Sequence, residues 1–336
     1  MANKVYLNAL EQELHATLQP AQAPYAEFFN MFRYHLGWTD AQGKRARADT
    51  GKRIRPLLCL WTCEAGGGDW RAALPAAAAI ELIHNFSLIH DDIQDNSAER
   101  RGRATVWKIW GLAQGINAGD AMFGLAHLAL GRLAQQLDAA RFIEILAVFN
   151  AATLKLTQGQ YLDIGFERVE SVTVEHYLNM ARGKTAALLA AACEMGARVA
   201  STELEIIHAF AAYGENLGIA FQIADDVLGL WGDPARTGKP TRTDLLSRKK
   251  SYPVLAAMQS AAGAELRALY AQAIWQESDL ARVEQILNAS GARADAARQA
   301  EIYAERARAA LAATRLENDA SARLRVLVAQ LVYREK

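Results

Sequence analysis

The chain has 336 residues, of which 51% are hydrophobic and 22% are charged, as expected for a globular protein with an extensive core. Lysine plus arginine and aspartate plus glutamate both total 37, so the net charge gives no reason to expect binding to nucleic acid or to an anionic membrane. The three cysteines form no Cys-x-x-Cys pair, which argues against a disulfide framework and favours a reduced, cytoplasmic compartment.

The N-terminal residues Met1–Leu7 lack the basic-then-apolar order of a signal peptide. No uninterrupted apolar run approaches the roughly 20 residues of a membrane span. We therefore expect a cytoplasmic protein without a membrane span.

The first segment with recognisable chemistry is basic and reads Gly51-Lys52-Arg53-Ile54-Arg55-Pro56. Pro56 suits the first turn of a helix. Lys52 and Arg55 are three residues apart, so a helix starting here would place both on one side as a clamp for a diphosphate. The alternative is an ordinary helix start whose charges face solvent.

An acidic cluster, Asp91-Asp92-Ile93-Gln94-Asp95, follows the apolar run Ser87-Leu88-Ile89-His90. Carboxylates within apolar sequence are costly to bury unless cations compensate them. On a helix, Asp91 and Asp95 project from one face, about one turn apart. They would suit a hard divalent cation such as Mg²⁺. Arginines follow at 100, 101 and 103, so surface ion pairs at a helix end are the alternative.

No proline occurs between Pro75 and Pro234, and strong helix formers dominate this interval. Such a composition predicts long helices. The tail from about Glu265 to Lys336 is amphipathic, and the chain shows no βαβ alternation, P-loop, fixed-period repeat or linker. The predicted architecture is therefore a single all-α domain spanning residues 1–336.

A second acidic cluster reads Phe221-Gln222-Ile223-Ala224-Asp225-Asp226, with Asp233 beyond it. Basic residues follow at Lys239, Arg242, Arg248, Lys249 and Lys250. If the two clusters faced each other, they would form a cage for divalent cations that hold a phosphate-bearing substrate. The basic residues would then hold an anionic diphosphate from the protein side.

Six motifs in this order resemble the trans-isoprenyl diphosphate synthases, or polyprenyl synthetases: Gly-Lys-x-x-Arg-Pro, Asp-Asp-x-x-Asp, Arg-Arg-Gly, Gly-Lys-Thr, Phe-Gln-x-x-Asp-Asp and Lys-Lys-Ser-x-Pro. The resemblance covers residues from about 50 to 255. It implies one large bundle of long antiparallel helices around a deep central cavity (the isoprenoid synthase fold), usually as a homodimer. It also implies an enzyme that condenses isopentenyl diphosphate with dimethylallyl, geranyl or farnesyl diphosphate, with three Mg²⁺ ions per active site.

The resemblance assigns roles to individual residues. The Mg²⁺ ligands that it implies are Asp91, Asp95 and Asp225, supported by Asp92 and Asp226. The resemblance implies that Arg100, Lys184, Lys239 and Lys249 contact the allylic diphosphate. It implies that Lys52, Arg55, His84 and Arg101 bind the diphosphate of isopentenyl diphosphate. Beside the hydrocarbon, where positive charge develops, it places Thr185 and Gln222.

These residue types fit the chemistry of the family. Ionisation of the allylic C–O bond leaves a cation and a diphosphate, whose charge Mg²⁺, arginine and lysine would stabilise. The alkene of isopentenyl diphosphate attacks the cation and a proton is then lost. Because no strong side-chain base lies near the motifs, the released diphosphate is the expected base. An apolar pocket would protect the cation from water.

The sequence departs from the family pattern at two places. Gly229 stands where the second cluster commonly has a third aspartate, and Trp107 stands where a histidine is frequent. Phe86 and Ser87 lie about one turn before Asp91, where side chains would set product length. By analogy with the family, an aromatic floor at Phe86 implies a short product, with C20 geranylgeranyl diphosphate favoured over C15 farnesyl diphosphate; an ordinary core phenylalanine is the alternative.

Three other functions compete with this interpretation. A class I terpene cyclase would ionise a substrate in the same way but would leave Lys52, Arg55 and Arg101 without a diphosphate. A regulatory subunit of a heteromeric prenyl synthase would be expected to lose the acidic clusters. A metal phosphohydrolase would have to depend on His90 and Asp91, a dyad too short to be informative.

Overall fold

A computed structural model describes residues 3–19, 23–167, 169, 171–232, 245, 247–272 and 274–333 of the chain. The α-helices are α1 (Asn3–Thr17), α2 (Ala26–His35), α3 (Ile54–Ala65), α4 (Leu74–Gln94), α5 (Val106–Trp110), α6 (Leu112–Gly131), α7 (Ala139–Phe166), α8 (Val174–Ala181), α9 (Ala187–Ala200), α10 (Leu204–Trp231), α11 (Tyr252–Met258), α12 (Gly263–Ala271), α13 (Glu277–Ala289), α14 (Ala292–Ala313) and α15 (Asp319–Val332). Within the described residues, the strands are those of one hairpin, β1 (Glu99–Arg100) and β2 (Arg103–Ala104). The predicted all-α class is confirmed.

The chain divides into two compact units. The first comprises Met1–Phe149 and Ala192–Glu203, and the second comprises Asn150–Ala191 and Leu204–Lys336. Each predicted acidic cluster belongs to a different unit, since Asp91 lies in the first and Asp225 in the second.

Helix α4 is the central helix of the first unit and packs most extensively against α6. The four alanines of the range 76–79 and the larger Ile80, Leu82 and Ile83 are completely buried. A helix that is apolar on all sides needs neighbours on all sides, and its small side chains let them approach closely. This packing fixes the position of the acidic C-terminal end of α4.

Among the described residues, one segment, Trp70–Gln94, is long and apolar enough to cross a membrane by length and composition alone. This segment has 25 residues and meets both conditions although charged residues interrupt its apolar sequence. Yet 67% of its most apolar window is buried within the fold, and Glu81 and Asp92 lie along it. This is the pattern of a core helix rather than of a lipid-facing one.

In the second unit, α10 packs along α14 and against a short π-helical segment, Arg182–Ala186. Two glycines permit close backbone approach to this segment. A Cβ atom on Gly218 would lie 2.5 Å from Cα of Ala186, and one on Gly159 of α7 would lie 2.0 Å from the backbone nitrogen of Lys184. Only a residue without a side chain fits at such distances.

The three cysteines, Cys59, Cys63 and Cys193, are free and buried. Cys59 and Cys63 lie one turn apart on α3, as the sequence predicts. Burial raises the pKa of the Cys63 thiol to about 12 and that of Cys59 well above its usual value. Protonated, buried thiols are poor nucleophiles, so these side chains serve packing.

Candidate active site

The first acidic cluster lies at the C-terminal end of α4. The helix ends at Gln94 and Asp95 is its C-cap residue. The N–H of Asp95 still donates to the carbonyl oxygen of Asp91 at 2.9 Å, a helical i, i+4 bond. Asp91 and Asp95 therefore keep the spacing that the sequence predicts, although Asp95 lies just outside the helix.

The chain leaves α4 through a Schellman motif. Asn96 adopts a left-handed conformation with φ of 51°. The N–H of Ser97 donates to the carbonyl of Asp92 at 2.8 Å, and the N–H of Asn96 donates to the carbonyl of Ile93 at 3.1 Å. These two bonds satisfy carbonyls that a helix end leaves unpaired.

Arg100 holds the carboxylates of the first cluster. Its Nε atom donates to Asp92 at 2.7 Å and its Nη2 atom to Asp91 at 3.2 Å. The Asp92 side chain is only 2% exposed, whereas that of Asp91 is 20% exposed. Burial raises the pKa of Asp92 to about 6 despite the favourable Arg100 charge. Asp92 is thus buried against Arg100, and Asp91 is the more accessible carboxylate of the pair.

The hairpin that follows gives three arginines three different environments. Arg101 and Gly102 have φ of 53° and 70°, as a two-residue type I′ turn requires. Arg103 anchors the hairpin, since its guanidinium donates to the carbonyls of Tyr34 at 2.9 Å and Thr39 at 2.8 Å. Arg100 faces the acidic cluster, which leaves Arg101 for the basic group described next.

A basic group forms around His84 of α4. Nη1 of Arg55 lies 3.3 Å from Nε2 of His84. Burial, followed by the positive charge of Arg55, lowers the pKa of His84 well below its usual value, so the imidazole is neutral. The Arg101 guanidinium packs against Gly51, where a Cβ atom would lie 2.7 Å from Nη2. Three of the residues predicted for isopentenyl diphosphate are therefore clustered.

The prediction for Lys52 was wrong in its geometry. Helix α3 begins at Ile54, so Lys52 precedes it and shares no helical face with Arg55. The cause is Arg53, which has left-handed φ and ψ of 50° and 40°. Its buried guanidinium pairs with Glu11 at 2.8 Å. This burial of Arg53 turns the chain before the helix starts.

Glu81 is a buried carboxylate that the sequence analysis missed. It lies on α4 one turn before Asn85, whose Nδ2 atom donates to Glu81 Oε1 at 2.9 Å. Burial lowers the pKa of Arg55 to about 10, and the negative charge of Glu81 opposes this effect. Glu81 thus supplies counter-charge beneath the basic group. As the one charged residue in the apolar run before His84, it could have been recognised.

Phe86 lies in an aromatic cluster on the same side of α4 as His90. The centroid of its ring lies 5.5 Å from that of Phe123 on α6 and 4.9 Å from that of His90. Ser87, in contrast, donates to the carbonyl of His84 at 2.8 Å. Nε2 of His90 lies 3.1 Å from the carbonyl oxygen of Ile116. His90 thus faces α6, whereas the adjacent Asp91 pairs with Arg100.

In the second unit, Lys184 and Lys249 share one partner, Asp163 of α7. Lys184 Nζ donates to Asp163 Oδ2, and Lys249 Nζ lies 3.4 Å from the same atom. Burial would raise the pKa of Asp163, but the two ammonium groups outweigh it and lower that pKa. The sequence analysis missed Asp163. It is the single charged residue between Lys155 and Glu167, which could have revealed it.

Thr185, Gln222 and Asp226 form a hydrogen-bonded chain. The Thr185 hydroxyl donates to Gln222 Oε1, and Gln222 Nε2 donates to Asp226 Oδ1 at 2.9 Å. The backbone N–H of Tyr252 donates to Asp226 Oδ2 at 3.0 Å. Burial raises the pKa of Asp226 to about 6. Both oxygens of Asp226 are therefore bonded within the protein, while the preceding Asp225 is only partly buried.

The adjacent Lys249 and Lys250 have different roles. Lys250 Nζ donates to the carbonyls of Phe166 at 2.6 Å and Val169 at 2.7 Å. A lysine in this place satisfies one carbonyl at the end of α7 and one just beyond it, and it complements the helix dipole. Lys250 is therefore structural, whereas Lys249 points to Asp163. Lys239 lies outside the described residues.

The accessible carboxylates suit a hard divalent cation. Each Asp-Asp pair has one buried, internally bonded member (Asp92, Asp226) and one more accessible member (Asp91, Asp225). An all-oxygen donor set is what Mg²⁺ prefers, and Mg²⁺ commonly binds through one or two carboxylates plus substrate phosphates. The described part of the chain contains no group of three or more His, Cys, Asp or Glu side chains that could hold a metal ion.

Comparison with known proteins places this geometry in a family. The family model for polyprenyl synthetases matches residues 38–289. The chain is 46% identical to a (2E,6E)-farnesyl diphosphate synthase of Mycobacterium bovis over 66% of its own length, and it spans 60% of the length of that relative. It is 42% identical to a geranylgeranyl diphosphate synthase of Mycobacterium tuberculosis, covering 89% of this chain and 84% of the relative.

A solved structure extends the similarity to nearly the whole chain. The crystal structure of a polyprenyl synthetase from Streptomyces coelicolor A3(2) matches with a TM-score of 0.88 and 35% identity, covering 98% of each chain. Both the sequence and the fold are thus shared along most of the length. The chain belongs to the polyprenyl synthetase family.

Proposed function

We propose that this protein is a short-chain trans-prenyl diphosphate synthase that condenses isopentenyl diphosphate with an allylic diphosphate. The observation that supports the proposal is two separate groups of charged side chains, each suited to a diphosphate: paired aspartates with Arg100, and the basic group of Arg55, His84 and Arg101. A terpene cyclase binds one diphosphate and has no use for the second set. Relatives named as farnesyl and geranylgeranyl diphosphate synthases support the same choice.

In this proposal, the accessible carboxylates bind the allylic diphosphate through cations. Asp91, Asp95 and Asp225 would ligate Mg²⁺, with three ions in total. Bound Mg²⁺ would supply electrophilic stabilisation of the departing diphosphate. Asp92 and Asp226 hold their neighbours in place through their internal hydrogen bonds, a supporting role for which their burial suits them.

Cationic side chains would complete the allylic site. Lys184, Lys249 and Arg100 would contact the allylic diphosphate, and Lys239 would join them. Asp163 orients two of these lysines, Lys184 and Lys249, before substrate arrives. Preorganised positive charge stabilises the negative charge that develops on the leaving group without reorganisation during the reaction.

The remaining polar residues would serve the acceptor and the cation. Lys52, Arg55, His84 and Arg101 would hold the diphosphate of isopentenyl diphosphate. The oxygens of Thr185 and Gln222 would lie beside the allylic cation, where partial negative charge is favourable. As the family resemblance implies, the released diphosphate would take the final proton.

The test is product analysis with the full chain. Purified protein is incubated with Mg²⁺, isopentenyl diphosphate and each allylic starter in turn, and product length is read by mass spectrometry. We expect elongation to C20, or next to C15, only when both substrates are present. Cyclised hydrocarbon from an allylic diphosphate alone would support a terpene cyclase instead. Activity only after a partner chain is added would support a regulatory subunit.

Phe86→Ala is predicted to lengthen the product by at least one C5 unit. The ring packs against Phe123, so its removal would open space below the first acidic cluster into which a growing chain can extend. Phe28→Ala, which truncates a half-buried ring on α2, is the matched control and should leave product length unchanged. Identical products from wild type and Phe86→Ala would refute the floor assignment.

We also propose that the protein is a homodimer that uses the exposed apolar side chains of α6. Ile116, Phe123 and Leu128 are exposed along this helix, and Leu128 is 70% exposed. Several exposed large apolar side chains on one helix indicate an interaction site, and a second copy of the chain would cover them symmetrically.

Leu128→Glu is predicted to convert the dimer to a monomer, because a buried unpaired carboxylate would destabilise the interface. The measurement is molar mass by light scattering at micromolar concentration. Val326→Glu, at a 54% exposed position on α15, is the control and should remain dimeric. A monomeric wild type would end this proposal. We further expect a cytoplasmic location, in keeping with three free cysteines.

A further inference from the structure

The departure from the family pattern at Trp107 has a structural explanation in the loop between α4 and the hairpin. The indole Nε1 of Trp107 donates to the carbonyl oxygen of Ser97 at 2.8 Å. The hydroxyl of Thr105 donates to the same oxygen at 2.9 Å. Two side chains around the start of α5 thus converge on one carbonyl in the loop that follows Asp95.

Trp107 is itself held firmly. A Cβ atom on Gly115 of α6 would lie 2.8 Å from Cβ of Trp107 and 2.9 Å from Cδ1 of Ile93. The glycine therefore lets α6 pack against both the tryptophan and the last turn of α4. In addition, the backbone N–H of Thr105 donates to the carbonyl of Ala98 at 3.0 Å. The Thr105 and Trp107 side chains therefore donate to the loop from a segment that packs against α6.

The loop is largely exposed to solvent, so hydrogen bonds rather than burial hold it. Gln94, Asp95 and Asn96 are exposed, as are Ala98 and Glu99. Ser97 is the residue whose N–H closes the Schellman motif on Asp92. Hydrogen bonds of both the N–H and the carbonyl of Ser97 therefore restrain the segment that runs from Asp95 to Arg100. Helix ends without such restraint fray.

We propose that Trp107 and Thr105 are positioning residues that clasp the Ser97 carbonyl and so hold Asp95 and Arg100 in the geometry required for cation and diphosphate binding. The clasp itself follows from the contacts above. Its consequence for catalysis rests on the proposed function. A metal site must be held to within a fraction of an ångström, which a frayed helix end does not provide.

The experiment compares Trp107→Phe, Trp107→His and Trp110→Phe in the full-length protein. Phenylalanine keeps the ring and removes the N–H donor, while histidine retains a ring N–H. Trp110 lies on the same short helix, where its ring packs on Tyr34, and serves as the control. Amide hydrogen exchange of peptides covering residues 95–100 is measured without Mg²⁺ or substrate, and the Mg²⁺ concentration for half-maximal activity is measured separately.

For Trp107→Phe we expect about tenfold faster exchange at Asn96 and Ser97, the factor that corresponds to the loss of one hydrogen bond. We also expect a several-fold higher Mg²⁺ requirement with an unchanged KM for isopentenyl diphosphate, because Arg55 and His84 do not touch the clasp. Trp107→His should restore part of both effects, and Trp110→Phe should resemble wild type.

Unchanged exchange in Trp107→Phe would overturn the clasp. Faster exchange spread evenly over the first unit would show a general role in stability and would equally overturn it. Faster local exchange with an unchanged Mg²⁺ requirement would overturn the positioning role. If the wild type made no prenyl diphosphate, the proposed function would fail, but the exchange measurement would still decide whether the clasp exists.

Discussion

Replacing Asp225 by alanine is expected to lower kcat by about 10²–10³-fold, the loss typical when a group that stabilises developing charge is removed. Within the described part of α10, neither the adjacent Asp226 nor the residue one turn later offers a replacement carboxylate. Both oxygens of Asp226 already accept hydrogen bonds, from Gln222 and from the backbone of Tyr252. One turn later on α10 stands Gly229, which has no carboxylate.

Gly229→Asp is the matched comparison for Asp225→Ala. Since Asp225 alone would serve as the ligand in the second cluster, a new carboxylate one turn away should change kcat by less than about threefold. Both variants are assayed across a Mg²⁺ titration, and thermal unfolding checks that they remain folded. Comparable losses in the two variants would contradict the assignment of Asp225 as the ligand of this cluster.

Gly159→Ala is expected to reduce both stability and activity. Its Cβ atom would lie 2.0 Å from the backbone nitrogen of Lys184 and 2.6 Å from the carbonyl carbon of Gly183, so α7 and the π-helical segment must separate. Overpacking of this kind costs about 1–3 kcal/mol, which lowers Tm by roughly 5 °C. Because Lys184 and Thr185 move with that segment, kcat should fall by about 10²-fold.

Gly165→Ala is the control on the same helix. Nothing lies within 4 Å of a Cβ atom at this position, and alanine favours the helical conformation. We expect an unchanged kcat and a Tm equal to or slightly above that of the wild type. The comparison uses calorimetry for Tm and steady-state kinetics below both unfolding transitions. If Gly159→Ala had the same Tm and kcat as Gly165→Ala, the close approach of α7 to Lys184 would not be required for stability or activity.

Helical periodicity in the sequence correctly predicted features that depend only on residues close together in the chain. The relation of Asp91 to Asp95 follows from helical periodicity, and it persists because the last helical hydrogen bond reaches Asp95. The burial of Cys59 and Cys63 follows from the same periodicity. The helical geometry assigned to Lys52 was wrong, because Arg53 adopts a left-handed conformation that no periodicity reveals. Such a conformation is stabilised by a distant partner, Glu11.

Residues linked across long stretches of chain escaped prediction. Asp163 bonds to lysines 21 and 86 positions away, and Lys250 bonds to Phe166 across 84 positions. Asp163 is one charged residue without a motif around it, and the Lys-Lys-Ser-x-Pro motif does not reveal which of its two lysines bonds to which partner. Only the folding of α7 beside the π-helical segment gives these side chains their partners.

The sequence by itself determined the helical class, the two pairs of aspartates and the basic residues near them, because helix propensity and side-chain periodicity are local properties. Tertiary structure decided which carboxylate of each pair is buried and which remains accessible. It also decided which of two adjacent lysines faces Asp163 and why a tryptophan stands at position 107. These outcomes depend on burial and on hydrogen bonds between segments far apart in the chain, and they exist only once the helices have packed.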